Sequence, residues 1–517
     1  MSRSTRRSSR GVLTVCICFV TLTNIQCGQG VAGNGTESST LTIHVPNSDE
    51  RVLGPNFVDL SWFFVFLGLA DGSEDADDPK PRLLDRWDHS ADYTEWTVHV
   101  REGVRWGDGV PATAEDVKFS LELWTDPSIA YEYRFFESIT VLDEHSLRMT
   151  FKQPVTAKIF VYNWLAIVPE HLLGELDVER MFSWPFWIQP VGDGPYQYVR
   201  HITGVMTELE ANPDYYGQVP DIQTIVLRYG GNGLTELLSG NADIATRITP
   251  LEALQLSADP QFRIYHKVLH SQHVAIVWNH RNALFRDAGV RRALTMSIDR
   301  RELHRTMNYP DDLPIFDVPI RTRHQAKGMV PDPLPFDPER ASRLFAGAGW
   351  VDTDGDGILD REGQDFQFTL LTSEETAAQA VYIQDQLRRV GIRMEIGAYD
   401  RNVVRVRTRD HDFDAAIARY NYVEQFGEFP MSGYENPEVS RLRDAVWFTI
   451  DHDEADNHIQ ELWQIVGAEM PITYLHPELR YLAAHRRVRG LQNTSGRIPT
   501  GTPLPLLLEH VWIEDER

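Results

Sequence analysis

Four aspartates, Asp352, Asp354, Asp356 and Asp360, surround Gly357 with the oxygen spacing of a calcium loop. In such a loop, carboxylates at alternate residues converge on a hard cation and a glycine permits the sharp turn. The twelfth position, where a loop of this type carries a bidentate glutamate, is Gly363, and Glu362 stands one residue early. A solvated turn would use the same residues, so calcium and no cofactor at all both stay open. His270 and His273 are three apart in a strand-like segment, a spacing that turns their rings to opposite faces and favours solvated side chains over a shared metal. Signatures of catalysis are missing where an enzyme would carry them. There is no His-Glu-x-x-His, no Gly-x-Ser-x-Gly, no phosphate loop and no glycine fingerprint after a strand. The chain therefore reads as a binder, with no catalytic residue nominated. A secreted hydrolase that assembles its site from distant residues is the alternative.

Elements able to position a binding site are well marked. Trp96, Val98 and Val100 share one face at period two, so Glu95–Val100 reads as a half-buried strand, ended by the turn Gly107-Asp108-Gly109. A helix follows, with Thr113 as N-cap, Asp116 three residues on, and Val117, Leu121 and Trp124 as its apolar stripe. Leu41 to Val45 and Ser146 to Phe151 read as strands. Asp287 caps a helix that carries Val290, Leu294 and Ile298 at fourfold spacing, Asp337-Pro338 opens another that Gly349 stops, and Asn436-Pro437 opens a third. Gly391 closes a helix ending near Val390 and leads into the strand Ile392 to Ile396.

A chain of 517 residues exceeds what one hydrophobic core serves, so two or three domains are expected. Its formal charge of −25 argues against a nucleic-acid partner. Arg3, Arg6, Arg7 and Arg10 followed by an apolar run to Thr23 form an export signal within residues 1–27, so the mature chain works outside the cytoplasm. Cys27 is the candidate lipidation site, and residues 28–40 would then be a flexible tether. A leader cut near Val31-Ala32-Gly33 is the other reading.

The order and identity of residues from Glu95 to Trp124 closely resemble the bacterial extracytoplasmic solute-binding proteins of family 5, the peptide, nickel and oligosaccharide receptors of ABC importers. Similar in turn to family segments are Ile167-Val168-Pro169-Glu170-His171, the Pro190 to Tyr196 loop, Asn212 to Gly217, Leu238 to Ile244, and Phe285 to Arg300. The resemblance runs in order from Leu41 to Tyr481.

It implies an α/β, bilobal periplasmic-binding-protein type II-like fold with an extra inserted domain and a two-strand hinge. Lobe I would comprise 41–64, 188–278 and 472–517, the insert 65–187, and lobe II 279–471. The chain crossings would fall at Trp278-Asn279 and Met470-Pro471. The implied function is a monomeric periplasmic receptor, free or lipid-anchored, that closes on a small solute, by default an oligopeptide, and delivers it to an ABC permease. An oligosaccharide receptor and a non-transport sensor lipoprotein are the alternatives within the fold. Peptide-binding members carry an aspartate that pairs with the ligand's α-amino group, and the aligned position here is Val423. Glu424 stands one residue on. Tyr420, Asn421 and Tyr422 beside it, with Trp278 and Tyr474 near the crossings, are the candidate ligand contacts, offering flat surfaces and an amide.

Overall fold

The computed structural model describes residues 39–46, 61–71, 79–124, 126, 136–161, 167–320, 328–421, 429–491 and 511–514. Strands of five or more residues are numbered β1 (Thr40–Val45), β2 (Leu84–His89), β3 (Glu95–Val100), β4 (Phe136–Asp143), β5 (Ser146–Phe151), β6 (Tyr196–Ile202), β7 (Met206–Ala211), β8 (Thr224–Tyr229), β9 (Ile244–Ile248), β10 (Phe262–Trp278), β11 (Gln367–Thr372), β12 (Arg393–Ala398), β13 (Ala415–Asn421) and β14 (Ile472–His485). The helices used below are α1 (Ala114–Trp124), α2 (Pro250–Ser257), α3 (Ala288–Met296), α4 (Arg300–Thr306), α5 (Pro338–Gly347), α6 (Ala377–Arg388), α7 (Arg401–Arg409), α8 (Pro437–Phe448) and α9 (His452–Glu469).

One ten-stranded sheet runs through the molecule in the order β12-β11-β13-β10-β14-β9-β1-β8-β7-β6. Its two central strands are long. β10 and β14 pair antiparallel from Phe262↔His485 to Val277↔Ile472, with register shifts between Leu269 and His273 and between Val274 and Ala275. Their outer stretch, 262–268 with 479–484, packs with lobe I residues such as Leu41, Ile244 and Leu256. Their inner stretch, 274–278 with 472–475, packs on both faces with lobe II residues such as Leu294, Phe368 and Trp463. The lobes therefore meet near 269–273 and 476–478, inside the strands, and not at 278/279 and 470/471. Two ladder-bonded strands crossing side by side are continuous in sequence, so no loop marks the passage.

A second sheet, β2-β3-β5-β4, holds the segment expected as an insert. Trp96, Val98 and Val100 are buried as their alternation requires. This layer shares one uninterrupted core with lobe I, Trp96 and Leu121 belonging to the same apolar cluster as Ile43 and Ile225.

The family-like motifs act as fasteners within this frame. Asp116 Oδ2 accepts from Thr113 N (2.8 Å) and Oγ1, its Oδ1 accepts from Glu170 N (2.8 Å), and Ser120 Oγ accepts from Val168 N (2.8 Å), so α1 carries the 167–171 segment. His171 Nε2 in turn meets Asp108 Oδ2 at 2.8 Å. Gly192 and Gly194 lie so close to the 64–65 backbone that a Cβ on the first would collide with Val65 O and on the second would approach Phe64 O to 2.6 Å. The helix capped by Asp287 ends sooner than its spacing suggests. Ser297 closes α3, and Asp299 caps the new helix α4 by accepting from Glu302 N, while Ile298 stays buried in the bend.

Candidate functional site

β10 leaves lobe I and enters lobe II, and β9, which like β10 runs antiparallel to β14, points the same way. β1 and β8 are parallel to β9, so all three direct their carboxyl ends at lobe II. β13 runs antiparallel to β10, and β11 and β12 are parallel to β13, so these direct their carboxyl ends at lobe I. Two parallel half-sheets thus aim their strand ends at one junction beside the hinge, where open α/β sheets bind ligands.

Charged side chains collect there. Arg419 of β13 binds Glu375, in the turn just before α6, at 2.9 Å and Glu478 of β14 at 3.3 Å, and Arg401 of α7 approaches Glu375 at 3.8 Å. Lobe I contributes Arg247, at the end of β9, where the register shifts between Thr246 and Ile248 and φ is +58°. Its guanidinium touches solvent yet stands among protein on most sides. Desolvation, then the positive field of Arg419, lowers its pKa, while Glu478 and Glu375 oppose this. Lys267 of β10 lies directly opposite Arg480 of β14. Burial first, then Arg480, brings Lys267 down to about 8, and burial brings Arg480 down to about 10.

On the lobe II side, His476 of the hinge strand is held by neutral groups. His476 is buried, its Nδ1 donates to Pro477 O (2.8 Å), and its Nε2 meets Gln379 Nε2 (3.1 Å) and Tyr309 Oη (3.3 Å). Burial holds its pKa down to about 3, so the ring is neutral at physiological pH.

The residues nominated from sequence fare unequally. Tyr420 and Asn421 are the last residues of β13, opposite His273 and Gln272, which brings their backbone to the junction. Their side chains, and Tyr422, Val423 and Glu424 entirely, lie outside the described residues. Trp278 is not a junction residue. It is fully buried, with its centroid 5.1 Å from Phe285 and 6.0 Å from Phe368, and it donates Nε1–H to Thr473 Oγ1 at 3.0 Å. Strand alternation turns it into the core under α3. Tyr474 is likewise core, edge-on to His273 at 5.1 Å. His273 is buried rather than solvated, because β10 is hydrogen-bonded on both sides and both sheet faces are covered there.

In the acidic loop, Asp352, Asp354 and Asp356 offer oxygens within 4.8 Å of one another, all exposed. Asp360 does not join them. It accepts from Thr353 N and Oγ1, both at 2.7 Å, and closes the neck of the loop. Asp352 already accepts from Gly355 N and Gly357 N, at 2.7 and 3.1 Å.

Arg247, Lys267 and Arg480 were not foreseen, because basic residues in strands carry no motif. One signal was available for Arg247: Thr249-Pro250-x-Glu252 is a capping box that fixes the start of α2 and leaves Arg247 at the strand's end. A cavity of about 510 Å³ lies elsewhere, against the side of lobe II, between Asn279, Thr369, Tyr399, Arg407 and Asp414. All its walls belong to lobe II, so a molecule there would not link the lobes.

A family model described as bacterial extracellular solute-binding proteins, family 5 Middle, matches residues 78–435, more than half of the chain. The chain belongs to this family. Oligopeptide-binding protein AppA of Bacillus subtilis (strain 168) is 26% identical over 427 residues, 76% of this chain and 77% of its own. Among solved structures, Bacillus subtilis AppA in complex with a nonapeptide matches with a TM-score of 0.78 and 21% identity, over 92% of this chain and 99% of its own. NikZ from Campylobacter jejuni in complex with Ni(L-His) matches at 0.80 and 21%, over the same shares. Two such neighbours with different cargoes fix the family 5 fold and leave the cargo to the junction's own chemistry. The fold is the mixed α/β, bilobal one that the motifs implied. Among the described residues no helix is long and apolar enough to cross a membrane.

Proposed function

We propose that this family 5 protein is an extracytoplasmic receptor that captures an oligopeptide between its lobes and hands it to an ABC permease, without covalent chemistry. The observation that carries the reading is the convergence of two sets of parallel strand ends on a two-strand hinge lined by charged side chains. A ligand touching both walls favours whichever lobe arrangement lets it do so, and closure follows as a population shift. The peptide cargo named for AppA supports this choice. A sugar-stacking receptor is less well supported, since two of its nominated surfaces, Trp278 and Tyr474, are core. Cys27 would tether the receptor by a lipid, and the Asp352–Asp354–Asp356 trio would seat calcium. The test is native mass spectrometry of the purified mature chain mixed with a pool of defined peptides. A one-to-one complex with peptide masses is expected; capture of sugars from an equivalent pool, with no peptide, would reverse the assignment.

A further inference from the structure

Among the described residues, three cations of the junction stand outside any ion pair. Two carboxylates described there, Glu375 and Glu478, are engaged by Arg419 and Arg401. Arg247, Lys267 and Arg480 have no ion pair with any carboxylate among the described residues. Arg480 donates one Nη2–H to Gln272 Oε1 at 3.0 Å, and its Nε is buried with no acceptor among those residues. For Lys267 and Arg480, which are half-buried, this is a costly arrangement, since an unpaired charge or donor removed from water loses hydration and gains nothing in return, whereas Arg247 keeps solvent contact. It is also against the trend of a chain whose formal charge is −25.

Placement gives the three cations a common target. Lys267 and Arg480 are cross-strand partners and so share one face of the hinge ladder. Tyr265 and Leu482, two residues back on that face, belong to the lobe I core, and Leu269 and Glu478, two residues on, form the next pair. The face therefore emerges from the core at Lys267 and Arg480 and reaches the charged network at Glu478. Arg247 stands in the irregularity of the neighbouring strand, between Thr246 and Ile248, which pair with Leu482 and Tyr481, the residues that follow Arg480. Its left-handed backbone is a conformation a non-glycine residue adopts at a cost of about 1–3 kcal/mol, of the kind found at ligand clamps.

We propose that this junction selects acidic peptides, whose side-chain carboxylates are bound by Arg247, Lys267 and Arg480; the proposal rests on the reading of the junction as a peptide site. Carboxylates would supply the missing acceptors as charge-assisted hydrogen bonds, and the arginines would bind them with two parallel N–H donors. Lys267, already drawn toward deprotonation, would regain its full charge beside an anion.

The test uses three hexapeptides with identical free termini whose central positions are all Glu, all Gln or all Lys, mixed in equal amounts with the mature protein and read by native mass spectrometry. The Glu peptide should be captured at least about tenfold over the Gln peptide, the worth of one charged hydrogen bond, and the Lys peptide least. Arg247→Gln, at an exposed position, and Lys267→Gln should each reduce that preference several-fold, and Lys267→Arg should retain it. Arg263→Gln, exposed on the same strand, should leave it unchanged. Equal capture of the Glu and Gln peptides would overturn the acidic preference and leave the peptide reading intact. Capture of none of the three, by a protein with a normal unfolding transition, would overturn both.

Discussion

Asp193 is fully enclosed, with Oδ1 accepting from Leu67 N at 2.8 Å and Oδ2 without a partner among the described residues. Burial, the largest influence, raises its pKa to about 7. A carboxyl raised in the folded state is protonated there and ionises more readily on unfolding. Its contribution is thus complete below about pH 4 and is lost as pH rises through about 7. Asp193→Asn keeps the acceptor and removes the titration, so its unfolding midpoint should fall less than that of the wild type between pH 4 and 8. Parallel profiles would show that Asp193 does not titrate in this range. Arg291 is the opposite case, a buried cation satisfied by carbonyls. Its guanidinium donates to Phe285 O, Arg286 O, Glu469 O and Met470 O, tying α3 to the end of α9. A lysine cannot serve four acceptors in a plane, so Arg291→Lys should cost about 2–4 kcal/mol in urea unfolding. At this scale the sequence was a partial guide. It located Arg291 within a family-like motif but could not tell Trp278, which faces the core, from a residue facing the junction.

Elements were more legible than residues, since local patterns determine them. The alternation of Trp96, Val98 and Val100, the caps Asp287, Asp337 and Asn436, and the Gly391 stop all correspond to observed boundaries. What local pattern could not convey was where one element serves two lobes. β10 is a single strand of 17 residues, and the polar run His270-Ser271-Gln272-His273 at its passage between cores reads in isolation as a solvated stretch of strand, with no turn residue to mark a crossing. Asp116 is an element-scale fastener, holding both the start of α1 and the backbone N–H of Glu170. Asp116→Ala leaves those part-buried donors without their carboxylate acceptor, and a loss of about 1–2 kcal/mol is expected on thermal or urea unfolding. A loss below about 0.5 kcal/mol would mean that the 167–171 segment is anchored by Ser120 and His171 without it.

At the scale of the whole molecule, the proposed peptide bridges two parallel half-sheets beside the hinge. Neither lobe alone presents the complete charge set. Arg247 comes from lobe I, Arg419 and Glu375 from lobe II, and Lys267, Glu478 and Arg480 from the strands that join them. The juxtaposition was invisible in the sequence because these positions are up to 233 residues apart and meet only through strand order. Amide hydrogen exchange of the mature chain with and without the captured peptide measures the bridge directly. A bridging peptide is expected to slow exchange at 246–248, 372–376, 419–421 and 478–480 together, on both lobes. Protection confined to the lobe II cavity around Thr369 and Arg407, with the junction unchanged, would contradict it.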